Sequence, residues 1–347
     1  MKKNISLTIL SFLFFLLLTE IGMRYLIFSK KYFLFKTENH LNFYKKYTNH
    51  LHHLRDTIDH PKEPSSYLFN FIKKNDQEDT ILFQGDSRAN QIDDIASWDK
   101  DFFNNYNSNI VSGGSSSFSP SLMSVQLDIL IKDFNIKPNI LVALIDPTDL
   151  GDEYCRYKDK VIIEENKIKK VEKSKLKGDF YFYENIFLLS EINFSKKPKF
   201  VYLPKLIYHF FKYNLQTVSN CRFDEIQKYL INKDINAENH FNYIVNSYLN
   251  NIKSYSFIDQ IYFVFYPHVQ HIDKNVYGIK YEIKLNNVLK DTLSDKVNII
   301  DFHNEQIFKD FKDNYFEVFI ENDPASHLTG KGRKIFYSKI LDKVLNN

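Results

Sequence analysis

The chain has 347 residues, of which 44% are hydrophobic, and this is enough for one large or two small cores. Its 46 basic and 43 acidic residues leave a net charge of +3, which gives no support for nucleic-acid binding. No His/Cys cluster has the spacing of a zinc site, and we expect neither a metal nor another cofactor.

The N-terminal segment predicts a membrane anchor. After a basic Met-Lys-Lys start, Asn4–Thr19 is uncharged and rich in Leu, Phe and Ile. A helix over Ile5–Phe28 would be roughly 36 Å long, enough to span a bilayer. No small-residue cleavage site follows, so we expect an uncleaved anchor over 1–28. The positive-inside rule places the rest of the chain outside a bacterial cytoplasmic membrane. A buried helix of a soluble protein is the alternative, since Glu20 and Arg24 lie within the apolar stretch.

Residues 29–77 are rich in Lys, His, Tyr and Asn, and they predict a stem or collar between membrane and domain. His50, His52, His53 and His60 lie in this segment. We expect solvated histidines there, with a metal site as the alternative.

An α/β domain is predicted over 78–347. Thr80–Phe83 is an apolar strand that ends in a Gln-Gly-Asp-Ser-Arg turn. The elements that follow are a strand over 109–114, a helix over 121–134, a strand over 139–145, a helix over 237–254, a strand over 260–266, a helix over 278–293, a strand over 297–302 and a helix over 329–345. Residues 151–235 are charged and aromatic and are predicted to be an insertion, as a lid or binding subdomain. The alternation of strands and helices indicates a parallel sheet covered on both faces.

Three residue types needed for nucleophilic catalysis occur at strand and helix ends. Ser87 follows the first strand, where open α/β sheets bind ligands. Asp323 and His327 precede the last helix. A serine needs an adjacent base, so Ser87, His327 and Asp323 are candidates for nucleophile, base and orienting carboxylate. The alternatives are a polar turn cap for Ser87, and a helix cap with a surface histidine for the other pair.

The Gly-Asp-Ser motif that contains Ser87, paired with the Asp-Pro-Ala-Ser-His run at 323–327, resembles the SGNH (GDSL-type) hydrolase superfamily. The resemblance implies a flavodoxin-like three-layer α/β/α sandwich over about 78–347. It also implies an oxyanion hole, for which we expect the backbone N–H groups of Ser87 and Gly114. The family's third block supplies an asparagine, which this sequence lacks, and Thr148 is the candidate substitute donor.

Three further residues lie near these motifs and are candidates for substrate binding. Arg88 follows the nucleophile, Asp149 follows the third strand, and His268 follows the strand over 260–266. Asp149 as a cap for the next segment, and His268 as a surface-loop residue, are the alternatives.

The two cysteines, Cys155 and Cys221, lie in the predicted insertion. In an exported protein they could form one disulfide. Two unpaired thiols are the alternative.

The anchor and the triad together predict an extracytoplasmic serine esterase or O-acyltransferase. Its substrate would be a short, acetyl-like acyl ester of a cell-envelope polysaccharide, and a membrane-bound acyl donor is a candidate partner. A lipid esterase is one alternative. The other is a catalytically inactive scaffold or glycan-binding component of an envelope assembly.

Overall fold

The computed structural model describes residues 2–27, 35, 37–55, 63–74, 79–172, 186–215, 235–266, 268, 289, 293, 297–302, 316–321, 323 and 326–346. Its helices are α1 (Lys2–Gly22), α2 (Glu38–Thr48), α3 (Ser87–Trp98), α4 (Pro120–Phe134), the one-turn α5 (Asp149–Gly151), α6 (Ile186–Phe194), α7 (Leu203–Leu215), α8 (Ile235–Lys253) and α9 (Gly330–Leu345). Its strands are β1 (Asn70–Lys73), β2 (Thr80–Gln84), β3 (Asn109–Ser112), β4 (Ile140–Ile145), β5 (Val161–Glu164), β6 (Lys167–Val171), β7 (Gln260–Phe265) and β8 (Asn298–Asp301).

The chain divides into two compact units. One comprises Met1–Lys46, Ile58–Pro64 and Ser174–Asn220, and the other comprises Tyr47–Thr57, Ser65–Lys173 and Cys221–Asn347. The predicted stem over 29–77 and the predicted insertion over 151–235 are each shared between these units. The predicted helix over 278–293 lies outside the described residues, except for Leu289 and Leu293.

The larger unit contains a six-stranded mixed sheet in the order β1-β3-β2-β4-β7-β8. All neighbouring pairs are parallel except β1 and β3, which pair antiparallel. Every residue of β4 is buried, as expected for a central strand covered on both faces. The sequence correctly predicted the five parallel strands. It did not predict β1, a four-residue strand whose residues are only partly buried or exposed.

Helices cover the sheet on both faces. Apolar side chains of α3 and α9 share one buried cluster with β2, and Ile92, Phe83 and Phe336 are among its members. On the other face, Gln84 of β2 donates to the Met123 carbonyl of α4 at 2.9 Å and accepts from the Tyr248 hydroxyl of α8 at 2.7 Å. The structure is therefore a mixed α/β fold with a mostly parallel central sheet.

The segment 50–55 packs inside the larger unit. His52 is 1% exposed and its ring lies 5.2 Å from that of Tyr157, while His53 is 6% exposed and lies 5.0 Å from Phe118. The Val171 N–H, at the end of the β5–β6 hairpin, donates to the His50 carbonyl at 2.9 Å. The expectation of solvated histidines is therefore wrong for His52 and His53. Their imidazoles are buried by aromatic residues distant in sequence.

The smaller unit contains the N-terminal helix. Leu7–Tyr25 is the one helix in the described part of the chain that is long and apolar enough to cross a membrane. Its apolar side chains are exposed, with Leu10 67% and Phe14 60% accessible. Such a helix near an N-terminus serves either as an anchor or as a signal sequence. Arg24 Nε donates to Glu20 Oε1 at 2.6 Å, so the two charges near its end are paired.

Candidate active site

The turn after β2 positions Ser87. Gly85 has φ +152°, and a Cβ there would lie 2.9 Å from both the Ala89 Cβ and the Leu144 carbonyl, so the turn requires glycine. The Asp86 carboxylate then caps α3 by accepting from the Arg88 N–H at 2.8 Å. Ser87 is thus the first residue of a helix at the carboxyl end of a central strand. The partial positive charge of a helix N-terminus favours negative charge that develops beside it.

A tight loop before α9 presents His327. The His327 N–H donates to Asp323 Oδ2 at 2.8 Å, and the His327 carbonyl accepts from the Ile320 N–H at 2.8 Å. Ser326, with φ 56°, donates its N–H to the Asp323 carbonyl at 2.9 Å. Thr329 caps α9 by accepting from the Gly332 N–H at 3.2 Å. These bonds fix the imidazole relative to the carboxylate.

Ser87, His327 and Asp323 form a continuous chain of side-chain contacts. Ser87 Oγ lies 2.8 Å from His327 Nε2, and His327 Nδ1 lies 2.6 Å from Asp323 Oδ2. The carboxylate favours the tautomer with a proton on Nδ1, which leaves Nε2 to accept the serine proton. The side chains of His327 and Asp323 are 28% and 17% exposed, so the group lies at the surface of the unit.

The loop after β3 packs against the start of α3. The Gly113 N–H donates to the Phe83 carbonyl at 2.7 Å, and the Ser115 N–H donates to the Gly85 carbonyl at 3.1 Å. A Cβ on Gly114 would lie only 2.2 Å from the Asn90 backbone nitrogen. Gly114 therefore lies beside the helix that begins with Ser87. Their shared role as oxyanion donors stays a prediction.

The loop after β4 is closed by its own hydrogen bonds. Thr148 donates both its N–H, at 2.7 Å, and its hydroxyl to Asp146 Oδ1. The Asp146 N–H donates to Asp149 Oδ2 at 2.9 Å. To serve as an oxyanion donor, the Thr148 hydroxyl would have to leave Asp146, so that role also stays a prediction.

Arg88 is a buried ion-pair partner in the structure. It is 2% exposed, pairs with the carboxylate of Asp86, and places Nε 3.1 Å from Asp146 Oδ2. Its guanidinium carbon lies 5.1 Å from the centre of the Tyr266 ring. Burial opposes the charged form, but Asp146 and Asp86 outweigh it and raise the pKa of Arg88. Substrate binding by Arg88 does not agree with this burial.

The two other candidates for substrate binding are buried as well. Asp149 is 0% exposed and His268 is 1% exposed. Asp149 begins the short helix α5, where its carboxylate holds the turn after β4. Burial raises the pKa of Asp149 well above its ordinary value, and the nearby Asp86 and Asp146 carboxylates raise it further. Direct contact with substrate does not agree with these positions, and the predicted capping role of Asp149 fits better.

Two further buried carboxyl groups, those of Asp152 and Glu153, follow Asp149 in the chain. Burial raises the pKa of each carboxyl group to about 7. The charge of Arg156 lowers the pKa of Asp152, and hydrogen bonds lower that of Glu153, but burial outweighs both. Glu153 accepts from the Ser119 hydroxyl at 2.6 Å and from the Ser121 N–H at 2.7 Å, at the start of α4. This carboxyl therefore joins the predicted insertion to the sheet domain.

Arg55 is a positioning residue that sequence reasoning missed. It is 3% exposed, donates to the Ser112 carbonyl at 3.2 Å, and bonds the side chains of Asn90 and Asp93 on α3. It thereby fixes the end of β3, which leads to Gly114, against the helix of Ser87. No local motif marks it, because it lies in the segment predicted as a stem.

Cys155 is disulfide-bonded in the structure, and no free cysteine occurs among the described residues. Cys221, the other cysteine of the sequence, lies outside those residues. Its pairing with Cys155 therefore stays a prediction.

No protein-family model matches the chain, and no curated protein is similar to it in sequence. Among solved structures, the fold resembles that of a catalytic mutant of an acetylxylan esterase from Geobacillus stearothermophilus. The TM-score is 0.37 and the sequence identity 11%, over 77% of this chain and 94% of that one. At these values the likeness says nothing about activity, so a functional conclusion depends on the geometry of the site.

Proposed function

We propose that the chain is a serine esterase or acyltransferase of the SGNH type. The observation that carries this proposal is the pair of contacts at His327, whose Nε2 lies 2.8 Å from Ser87 Oγ and whose Nδ1 lies 2.6 Å from Asp323. Both distances are within the range for hydrogen bonds between nucleophile, base and orienting group. The parallel strands in the order β3-β2-β4-β7-β8 correspond to the flavodoxin-like order, and Ser87 follows β2 at the switch point where ligands bind in such sheets.

The proposed reaction begins when Ser87 Oγ attacks an ester carbonyl while His327 Nε2 takes the hydroxyl proton. The carbonyl oxygen becomes an oxyanion, which the N–H groups of Ser87 and Gly114 would stabilise. Collapse of this intermediate breaks the bond to the alcohol, which leaves with the proton from His327. Water, or a sugar hydroxyl in the transfer reaction, then gives its proton to His327 and attacks the acyl-enzyme. The bond between the acyl carbon and Ser87 Oγ breaks, the free acid or the acylated sugar leaves, and Ser87 takes the proton back from His327.

We infer the substrate class from the N-terminal helix together with the proposed triad. The helix Leu7–Tyr25 and the basic N-terminus support an anchor in the cytoplasmic membrane with the catalytic unit outside. A serine esterase in that place has the acylated polysaccharides of the envelope within reach, and short acyl groups of the acetyl type are the proposed substrates. For transfer, the acyl donor would be a membrane-bound partner.

The experiment that tests the function is esterase turnover of the full chain in detergent. The substrates are acetyl, butyryl and long-chain acyl esters together with acetylated glycans. Ser87→Ala and His327→Ala are each expected to lower kcat by about 10³-fold or more, and the double variant should lose no more than either single one. Asp323→Asn should lose somewhat less. Ser97→Ala, on the exposed last turn of the same helix, is the matched control and should keep wild-type activity.

The outcomes separate the proposal from its alternatives. Preference for acetyl esters supports the glycan-ester substrate, whereas preference for long acyl chains would favour a lipid esterase. Turnover that survives Ser87→Ala would exclude the serine mechanism. A folded wild-type protein with no turnover on any ester would favour the inactive scaffold, with which the occupied hydroxyl of Thr148 is compatible.

A further inference from the structure

One side of helix α7 exposes a continuous row of apolar side chains. Leu203, Ile207 and Phe211 are spaced four residues apart and are 36%, 48% and 56% exposed, and Tyr208 beside them is 62% exposed. Residues at this spacing lie on one face of a helix. Isolated exposed apolar residues are common, but a contiguous row marks a surface that is covered by something else.

Two lysines border this apolar row. Lys205 and Lys212 follow Tyr208 around the exposed side of the helix, at about 100° per residue. Both are exposed. An apolar face bordered by lysines is typical of a helix that lies in a membrane interface, where the long side chains reach the headgroups.

The start of α7 is attached to the end of the apolar helix α1. The Phe200 N–H donates to Glu20 Oε2 at 3.0 Å. Lys199 caps the end of α6, because its Nζ donates to the carbonyls of Ile192, Asn193 and Ser195 at 2.5, 3.0 and 2.8 Å. The turn Lys199–Tyr202 is thus fixed to both helices, and α7 begins directly after it. The exposed row therefore starts three residues after the contact with Glu20, which lies in the last part of the candidate membrane span.

We propose that α7 lies on the membrane surface, with Leu203, Ile207 and Phe211 in the acyl-chain boundary and Lys205 and Lys212 among anionic headgroups. This proposal depends on α1 being an anchor. Continuity with the span selects lipid as the occupant of the apolar row, and the lysine border complements anionic lipid. The smaller unit would then contact the bilayer twice, through a span and through an interfacial helix.

The test measures the depth of single tryptophans in the full chain. The sequence has one tryptophan, so Trp98→Phe gives a background without any. Phe211→Trp and Ile207→Trp report the apolar row, and Lys205→Trp is the matched control on the basic border. Each protein is reconstituted in phosphatidylcholine–phosphatidylglycerol vesicles whose acyl chains are brominated. We expect lipid quenching at 207 and 211 to be at least twofold stronger than at 205.

Each other outcome contradicts the proposal. Equal lipid quenching at the three positions would show that the face is not inserted. Quenching at 211 by aqueous iodide alone would show a bare surface, and quenching by neither agent would show that protein, such as a second copy, covers the row. Unchanged quenching in pure phosphatidylcholine would contradict the role of anionic headgroups. Flotation with vesicles after a carbonate wash tests α1 separately, and a chain that does not float would contradict the anchor and, with it, this proposal.

Discussion

The Tyr266 hydroxyl donates a hydrogen bond to the main-chain carbonyl of Ser326 across 3.1 Å. Ser326 directly precedes His327 and has φ 56°, a conformation that non-glycine residues adopt at a cost. The same aromatic ring lies 5.1 Å from the guanidinium of Arg88, which directly follows Ser87. One buried tyrosine therefore contacts the chain neighbours of both Ser87 and His327.

We predict that Tyr266→Phe lowers kcat by about tenfold, which corresponds to about 1.4 kcal/mol. The ring remains over Arg88, but the loop that holds His327 loses a hydrogen bond. Tyr248→Phe is the matched control, because that buried tyrosine lies on helix α8 and donates to Gln84 Oε1 at 2.7 Å. Both variants should lose about 0.5–1.5 kcal/mol of stability. Equal kcat in the two variants would contradict the positioning role of Tyr266.

We predict that Arg88→Met lowers the free energy of unfolding by about 3–5 kcal/mol, because the carboxylates of Asp86 and Asp146 lose their buried cation. Urea unfolding at neutral pH measures this loss. Arg156→Met is the control, because this partly exposed arginine pairs with Asp152 at 2.9 Å. It should lower the free energy of unfolding by less than Arg88→Met. If Arg88 instead contacts substrate, Arg88→Lys will raise KM and leave stability unchanged.

The buried carboxyl of Glu153 predicts a pH-dependent stability. Its folded-state pKa of about 7 exceeds its ordinary value of 4.5, so the folded chain binds more protons than the unfolded chain between these pH values. Stability therefore falls as pH rises from about 4.5 to 7, by roughly 1–3 kcal/mol for this group. Glu153→Gln should make the dependence of Tm on pH shallower over that window, while the contribution of Asp152 remains. Glu164→Gln, at an exposed position on β5, should leave the slope as in wild type.

We predict that Gly114→Ala is severely disruptive. The added Cβ would lie 2.2 Å from the Asn90 nitrogen and 2.4 Å from the Ala89 carbonyl carbon, so the loop would have to move away from α3. Gly330→Ala is the control, since the nearest atom to its Cβ, on Trp98, is 3.6 Å away. Activity and Tm of both variants check this. A Gly114→Ala variant with wild-type kcat and Tm would contradict the close packing of Gly114 against α3.

Local patterns predicted much of the fold. The apolar runs at Thr80, Asn139 and Gln260 are strands of the sheet, and the helix predicted over 121–134 is α4. The edge strand β1 could not be predicted in this way, because four partly exposed residues carry no clear alternation and their pairing with β3 depends on long-range contacts.

The contacts among Ser87, His327 and Asp323 were predictable, because Ser87 follows a strand and the other two residues precede a helix. Sequence reasoning could not predict which of their neighbours are buried. Arg88, Asp149 and His268 were candidates for substrate binding because they follow the nucleophile or a strand end, whereas the fold buries all three. Opposite charges lie close to the carboxyl ends of two neighbouring strands, Arg88 four residues after β2 and Asp146 directly after β4. This was a signal for a buried pair that sequence reasoning did not use.

Covalent labelling tests the central claim, that Ser87 is a nucleophile activated by His327. The full chain in detergent is treated with a fluorophosphonate probe, and the modified peptide is identified by mass spectrometry. We predict an adduct on Ser87 that is absent in Ser87→Ala, at least about 10³-fold slower in His327→Ala, and unchanged in Ser97→Ala. A folded wild-type chain that acquires no adduct, or an adduct that forms equally fast without His327, would contradict the account.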